Sequence, residues 1–234
     1  MSFLFRKHFH SSVSLATLKE KPVENGLLYL NEFFRHFGID DEEKIQQALA
    51  LFETRIYRKN SWFLREGDTA DRIGFIVNGA VEAFYTQDNK HQVLLLLMEE
   101  DFFTDLRSFL HRAPTRLNMR FREDTIVLEI SHENFADFIL ENKPFADMFM
   151  KVMVDIMSGI NEHNQLLKLP TRSRFEYLLK MKPEVFNRFL LQDIASFIGV
   201  KQETLSRARR YFSRQKSTDA EAPSVKQVTP PSLQ

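Results

Sequence analysis

Apolar positions recur at helical spacing in Leu27–Phe37 (LLYLNEFFRHF) and again in Asp41–Phe52 (DEEKIQQALALF), whose leading acids suit a helix N-terminus. Two short helices are therefore expected first. The period then changes. Short apolar segments at Trp62–Leu64, Ile73–Val77, Val81–Tyr85, Val93–Met98, Leu117–Phe121 and Thr125–Ile130 are separated by REGDTAD, NG, QDNK, HRAPT and RED. Regular short strands between polar turns predict an all-β sandwich, roll or barrel.

Helical spacing returns near Ser131 and lengthens after Pro144. Phe149, Val152, Ile156, Gly159, His163 and Leu166 recur at alternating steps of three and four, flanked by Met148, Met153, Met157 and Ile160. That is the step of a helix pair packed along a seam. The stripe could lie on its own domain, but so continuous an apolar side is wider than a small roll covers, and a homodimer through this helix is expected. Pro170 ends it, because proline lacks the donor and disfavours helix before it.

In Phe189–Phe212 (FLLQDIASFIGVKQETLSRARRYF), Ile194, Ala195 and Ile198 share one helical face. Gly199 permits the left-handed geometry that ends a helix, and Leu205, Ala208 and Phe212 share a face of the next. Helix, tight turn, helix is the expectation, with small Ala195 allowing close approach and Val200 plugging the turn into the core. The second helix then exposes Gln202, Glu203, Ser206, Arg207 and Arg210. Arginine can bond a guanine edge twice, glutamine an adenine, glutamate a cytosine, and Lys and Arg neutralise phosphates. The other reading is a solvated helix carrying an i,i+4 ion pair between Glu203 and Arg207.

Composition narrows the classes. A chain of 234 residues accommodates two domains, and 43% hydrophobic with 27% charged residues is ordinary for a globular protein. Phenylalanine is unusually frequent, at 23 residues. With no cysteine, disulfides, thiolate nucleophiles, Cys-ligated zinc and Cys-bound iron–sulfur clusters are excluded. The longest apolar run, Val93–Met98, is far below the roughly 20 residues that span a bilayer. No nucleophile elbow, phosphate loop, metal triad or Gly-rich cofactor turn is present, so an enzyme is not expected, nor is a cofactor. His91, His111, His132 and His163 stand in no haem-ligand motif.

Met1–Glu20 is basic and aromatic with no acid before Glu20, and reads as a terminal extension rather than a transit peptide. Lys216–Gln234 is poor in large apolar residues, holds three prolines and is expected to be disordered. The formal net charge is zero, yet Thr171–Lys216 carries eleven Lys and Arg against four Asp and Glu. A basic third of this kind suits a polyanionic partner or is a solvated basic surface.

Taken together, the order of parts resembles the Crp/Fnr family of regulators. Phe63–Tyr85 (FLREGDTADRIGFIVNGAVEAFY), with turn glycines Gly67 and Gly79, is similar to that family's early roll strands. Ile194–Arg210 (IASFIGVKQETLSRARR) is similar to its DNA-reading element, and DFFTDLRSFLHRAPT is most similar to members found in Bacteroidetes. The resemblance implies an α+β chain: an N-terminal extension over 1–26, a cyclic-nucleotide-binding-like β-roll (double-stranded β-helix or jelly roll) over 27–142, a long dimerisation helix over 143–169, a helix-turn-helix domain over 170–215 and a disordered tail over 216–234. No two strands of a wing are read after Phe212. It further implies a cytoplasmic, non-enzymatic regulator whose partners are double-stranded DNA, a second copy of itself, RNA polymerase and an unidentified small-molecule effector, with no membrane.

By that motif the DNA-reading positions fall on Gln202, Glu203 and Arg207. Lys201 stands where a Ser or Thr commonly caps the helix, which removes one capping hydrogen bond. In the effector pocket the family's Gly-Glu pair and its Arg followed by a hydroxylated residue fall on Thr104 and Asp105, then Arg116 and Leu117. Thr104 brings a Cβ where close backbone approach is needed, and Leu117 removes a hydroxyl. On the long helix, Asn161 and Glu162 replace base-contacting hydroxyls. These changes speak against a cyclic-AMP receptor of the usual kind. They leave two readings of Asp105 and Arg116, a salt bridge across the roll or a site for another ligand. A roll acting through protein contacts rather than DNA stands as the alternative function.

Overall fold

A computed structural model describes residues 22–87 and 90–210. Two helices come first, α1 (Pro22–His36) and α2 (Glu42–Ala50), the second capped by Asp41, whose side chain accepts from the Lys44 N–H. Helix α1 begins five residues earlier than the extension expected over 1–26 allows. The strands are β1 (Glu53–Tyr57), β2 (Trp62–Leu64), β3 (Arg72–Asn78), β4 (Val81–Gln87), β5 (Lys90–Leu97), β6 (Phe102–Phe103), β7 (Asn118–Phe121) and β8 (Thr125–Ser131), with α3 (Leu106–His111) between β6 and β7. They form two four-stranded antiparallel sheets, ordered β1-β8-β3-β6 and β2-β7-β4-β5.

The two sheets face each other across one core that includes Ile73, Ile76, Val81, Ala83, Phe103, Met119, Phe121 and Val127. Each sheet's outer face is also covered. Phe75, Val77 and Leu128 turn outward onto Tyr29, Leu30, Phe33 and Phe34 of α1. Ala80, Phe84, Val93, Leu96 and Met98 turn outward on the other side, onto helices from the C-terminal part of the chain. Burial on both faces explains why β3 and the first four residues of β4 are buried continuously instead of alternately. Many of the phenylalanines fill these layers; Phe75, Phe103, Phe109, Phe121 and Phe175 are fully buried, each stabilising by about 1.5–3 kcal/mol.

Backbone conformation matches the expected turns. Gly67 and Gly79 have φ of +94° and +123°. At Gly79 a Cβ would lie 2.3 Å from Thr125 Oγ1, so a side chain is excluded on both counts.

Helix α4 (His132–Glu141), capped by Ser131, leads through Asn142 into α5 (Lys143–Leu166), which carries Pro144 in its first turn. Then follow α6 (Thr171–Met181), α7 (Val185–Arg188), α8 (Leu191–Phe197) and a helix over 202–210, here α9. Among the described residues no helix is long and apolar enough to cross a membrane. The extension over 1–21, the expected tail over 216–234 and any wing after Phe212 lie outside the described residues.

Candidate functional site

The turn between α8 and α9 is built by its backbone. Gly199 donates to the Ser196 carbonyl at 3.1 Å and Val200 to the Ala195 carbonyl at 2.9 Å. With Gly199 at φ +64°, this is a Schellman closure. Arg174 secures it from α6, donating from one guanidinium nitrogen to the Ile198 and Gly199 carbonyls, each at 3.0 Å. The Lys201 carbonyl then accepts from Thr204 and Leu205 and opens α9 without a side-chain cap. Ile194, Ala195, Ile198 and Leu205 are buried between the helices.

On the opposite side Lys201, Gln202, Glu203, Arg207 and Arg210 are exposed, while Ser206 is half-buried and accepts from Arg210 at 3.3 Å. Among the described residues no ion pair joins Glu203 to Arg207, so the two charged heads are not spent on each other. Lys201, Gln202, Glu203 and Arg207 therefore stand together on one exposed side of the turn and helix.

The C-terminal helices are docked on the outer face of β4 and β5, a contact the sequence did not announce. Phe84, Val93, Leu96 and Met98 meet Phe175, Leu178, Ile194, Phe197 and Ile198 in one cluster. Arg188 of α7 reaches Glu99 with two hydrogen bonds, at 2.5 and 2.9 Å, and also pairs with Glu123. Burial pushes the Glu99 carboxyl up, but the Arg188 guanidinium and the Gly79 N–H together outweigh it and hold the group below its ordinary value. Deeper in the same seam, Glu82 (β4), His91 (β5) and Asp193 (α8) converge with Arg120 and Arg122. Burial raises the Glu82 carboxyl's affinity for a proton and lowers that of His91, whose ring stacks on Phe84 at 3.7 Å.

The expected effector residues are not assembled around an open polar site. Thr104 is buried and donates to the Arg72 carbonyl at 2.9 Å. Asp105 caps α3, accepting from the Arg107 and Ser108 N–H groups at 3.0 and 3.2 Å, and also accepts from the Thr115 hydroxyl. Arg116 is exposed and Leu117 is packed in the roll core. The salt bridge between Asp105 and Arg116 does not form among the described residues, because local backbone donors and Thr115 take the carboxylate and Arg116 turns to solvent. Between the sheets, Tyr57 stacks on Phe121 at 4.2 Å and Phe63 lies 4.4 Å from Phe103, so rings occupy the roll interior. A cavity of about 90 Å³ does exist, beneath α1 and α2 and against α5, lined by Phe33, Phe52, Phe102, Phe138 and Met153 among others. Its wall is almost wholly apolar, Thr104 being the one polar side chain on it among the described residues.

The long helix requires a correction. Val152, Ile156, Gly159 and Leu166, expected along a seam between two copies, are buried within this protomer, and Phe149 and His163 are half-buried. His163 stacks on Phe197 of α8 at 4.6 Å. Val152 and Ile156 pack into the cluster of α1, α2 and the outer face of β3 and β8, and His163 packs against α8, so the protomer itself covers the stripe. What α5 exposes is the adjacent stripe Met150, Val154, Met157 and Ile160, 51–69% accessible.

The chain has relatives in fold. The family model described as "Cyclic nucleotide-binding domain" matches residues 54–142. No curated protein matches the sequence. Among solved structures, a candidate cAMP-binding regulatory protein from Silicibacter pomeroyi DSS-3 superposes with a TM-score of 0.57 at 20% identity, covering 86% of this chain and 92% of that one. The c-di-GMP responsive global regulator CLP of Xanthomonas campestris gives 0.57 at 17% identity, covering 75% and 93%. FixK2 from Bradyrhizobium japonicum gives 0.57 at 18%, covering 70% and 86%. Residues 54–142 are thus similar to the cyclic nucleotide-binding domain, and the chain is similar in fold to these solved proteins.

Proposed function

We propose that the protein is a sequence-specific DNA-binding transcription regulator of the Crp/Fnr type, acting as a homodimer on a two-fold symmetric operator. The observation that carries this is the exposed face of Lys201, Gln202, Glu203, Arg207 and Arg210 on a helix that follows a Gly199 turn, with Ser206 at its edge. A helix presenting such groups at its N-terminal half suits the major groove, Arg207 and Gln202 reading base edges and Lys201 and Arg210 meeting phosphates. The exposed apolar stripe of α5 supports a second copy packed along that helix. Thr104, Asp105, Arg116 and Leu117 support a pocket that no longer takes a cyclic nucleotide in the usual way, since the carboxylate is engaged and the interior is aromatic.

Selection of bound sequences from random duplexes, with and without cyclic nucleotides, tests the reading. A palindromic motif with half-sites about one helical turn apart is expected without any nucleotide. Affinity should fall steeply as salt rises, and Arg207→Ala should relax preference at one base pair of each half-site. A motif that appears only with a cyclic nucleotide overturns the view of the pocket. No motif under any condition overturns DNA recognition and favours a roll acting through protein contacts.

A further inference from the structure

The apolar cavity beneath the elbow between α4 and α5 is a feature that DNA reading does not use. It holds about 90 Å³, bounded on one side by α1, α2 and the roll and on the other by α4 and the first half of α5. Eight phenylalanines line it. Their rings meet edge to face, Phe34 and Phe145 at 5.2 Å, Phe138 and Phe145 at 4.8 Å, and Phe135 and Phe149 at 5.2 Å. Protein interiors are close-packed, so a space of this size forfeits contacts that its lining would otherwise make.

The two walls differ. Phe33, Phe34 and Ala48 are buried. Phe135, Phe138 and Ile139 of α4 also line the cavity, yet α4 contains no buried residue. Met148, Phe149 and Met153 of α5 are likewise half-buried. A firm wall therefore faces a yielding one, and a molecule can enter past α4 without opening the roll.

The lining also fixes the chemistry of an occupant. Thr104 supplies the one hydroxyl among the described residues, and it already donates to the Arg72 carbonyl. No charged side chain lines the cavity among the described residues, so an ion brought here loses its hydration without replacement. A flat neutral ring instead meets phenylalanine faces and edges in the arrangement that aromatic groups prefer. Met148 and Met153 add flexible thioethers that adapt around it. An engineered apolar cavity of about 150 Å³ takes benzene, and here the half-buried side chains of α4 can move outward to give the remaining room. Asp105, Arg116 and Leu117 are not part of the lining, so the site is separate from the positions where a nucleotide pocket is expected.

We propose that this cavity is a binding site for a small neutral aromatic molecule of about one ring, seated between the roll and the elbow of α4 and α5. Occupancy fills the space under the elbow and fixes α5 against α1 and the roll. The proposal stands whether or not α9 reads DNA.

The probe is toluene, titrated into the full chain carrying carbon-13 methyl methionine and followed by NMR. Saturable shifts at the Met148 and Met153 methyls are expected, with Met119 of the roll core unmoved. Benzoate, the same ring with a charge, should leave all three in place at equal concentration. Ala48→Leu extends a side chain into the cavity and should raise the half-saturating toluene concentration about tenfold or more, with circular dichroism checking the fold. Should that variant unfold, Phe138→Trp narrows the space from the half-buried side and decides in its place. Absence of shifts at Met148 and Met153 up to toluene saturation overturns the site. So do shifts confined to Met150 and Met157 of the exposed α5 stripe, benzoate binding as tightly as toluene, or undiminished binding by the folded variant.

Discussion

The Ser196 hydroxyl of α8 accepts from the Val93 N–H of β5 at 2.9 Å and donates to the His91 carbonyl at 3.0 Å. Strand β5 is the edge of its sheet, so one hydroxyl supplies the pairing that a neighbouring strand would otherwise give. Through this contact α8 is registered against the roll, and its loss has a local signature. Ser196→Ala should destabilise the protein by about 1–2 kcal/mol and speed hydrogen exchange at the Val93 amide. Unchanged exchange there would show that the apolar contacts alone hold the docked helices.

Arg188 and Glu99 form a charged link of the same seam through two hydrogen bonds. Arg188→Met leaves the buried Glu99 carboxylate without its guanidinium, and a loss of about 3–5 kcal/mol in urea unfolding at neutral pH is expected. The pair also sets an acid dependence. The Glu99 carboxyl is held below its ordinary value of 4.5 when folded, so its contribution is complete above that value and disappears as pH falls through the lower folded one. Glu82 and Glu129 are raised mainly by burial and oppose this, costing stability above pH 4.5 and relieving it on acidification. Arg188→Met should therefore lose less stability than the parent on titration from pH 5 to pH 3. An equal loss in both chains would remove Glu99 as its source.

A second pH dependence lies nearer neutrality. Burial lowers the His163 imidazole below its ordinary 6.5, and burial does the same to His91. The unfolded chain then takes protons that the folded chain refuses, so stability falls as pH drops below 6.5 toward the folded values. His163→Phe keeps a ring against Phe197 and cannot titrate. Its melting temperature should vary less than the parent's between pH 7.5 and 5.5, and an unchanged slope would assign the effect to His91.

Met157 is the most exposed apolar residue of the α5 stripe, at 69%. Met157→Glu places a charge at the centre of a surface that a second copy would cover, at little cost to a free protomer. Light scattering should show the parent as a dimer and the variant shifted to monomer, with operator affinity falling in parallel. A variant that remains dimeric would place the contact elsewhere.

The regular elements were largely legible in the chain. Six strands and the helices from Leu27 to Ala50 follow from apolar spacing, and the Gly199 turn from a residue type that tolerates positive φ. The strands β1 and β6 were not read. Strand β1 pairs only with β8, along Glu53–Glu129 to Tyr57–Thr125, and is mostly exposed, so it lacks an apolar signal. Strand β6 is two residues long. Helices α6 and α7 escaped notice because the basic residues of 171–188 obscure their apolar positions.

The candidate sites divide in the same way. The exposed face of α9 is a local property, since residues at helical spacing share a side wherever the helix is placed. The roles of Asp105 and Arg116 were open, because whether a carboxylate meets an arginine or a backbone N–H depends on the path of the chain between them. The partner of the α5 stripe is hidden for a related reason: periodicity shows that a stripe is covered, not by what.

Local order, then, was determined by the sequence alone: where helices and strands run, where glycine must turn, and which residues α9 offers together. Only the tertiary structure decided that the C-terminal helices lie on β4 and β5, that Val152 and Ile156 belong to the protomer's own core, and that Glu82, His91 and Asp193 meet. Those outcomes depend on contacts between segments up to about a hundred residues apart, as with Ser196 and Val93. Such contacts are selected by the packing of whole layers, and no short-range pattern encodes them.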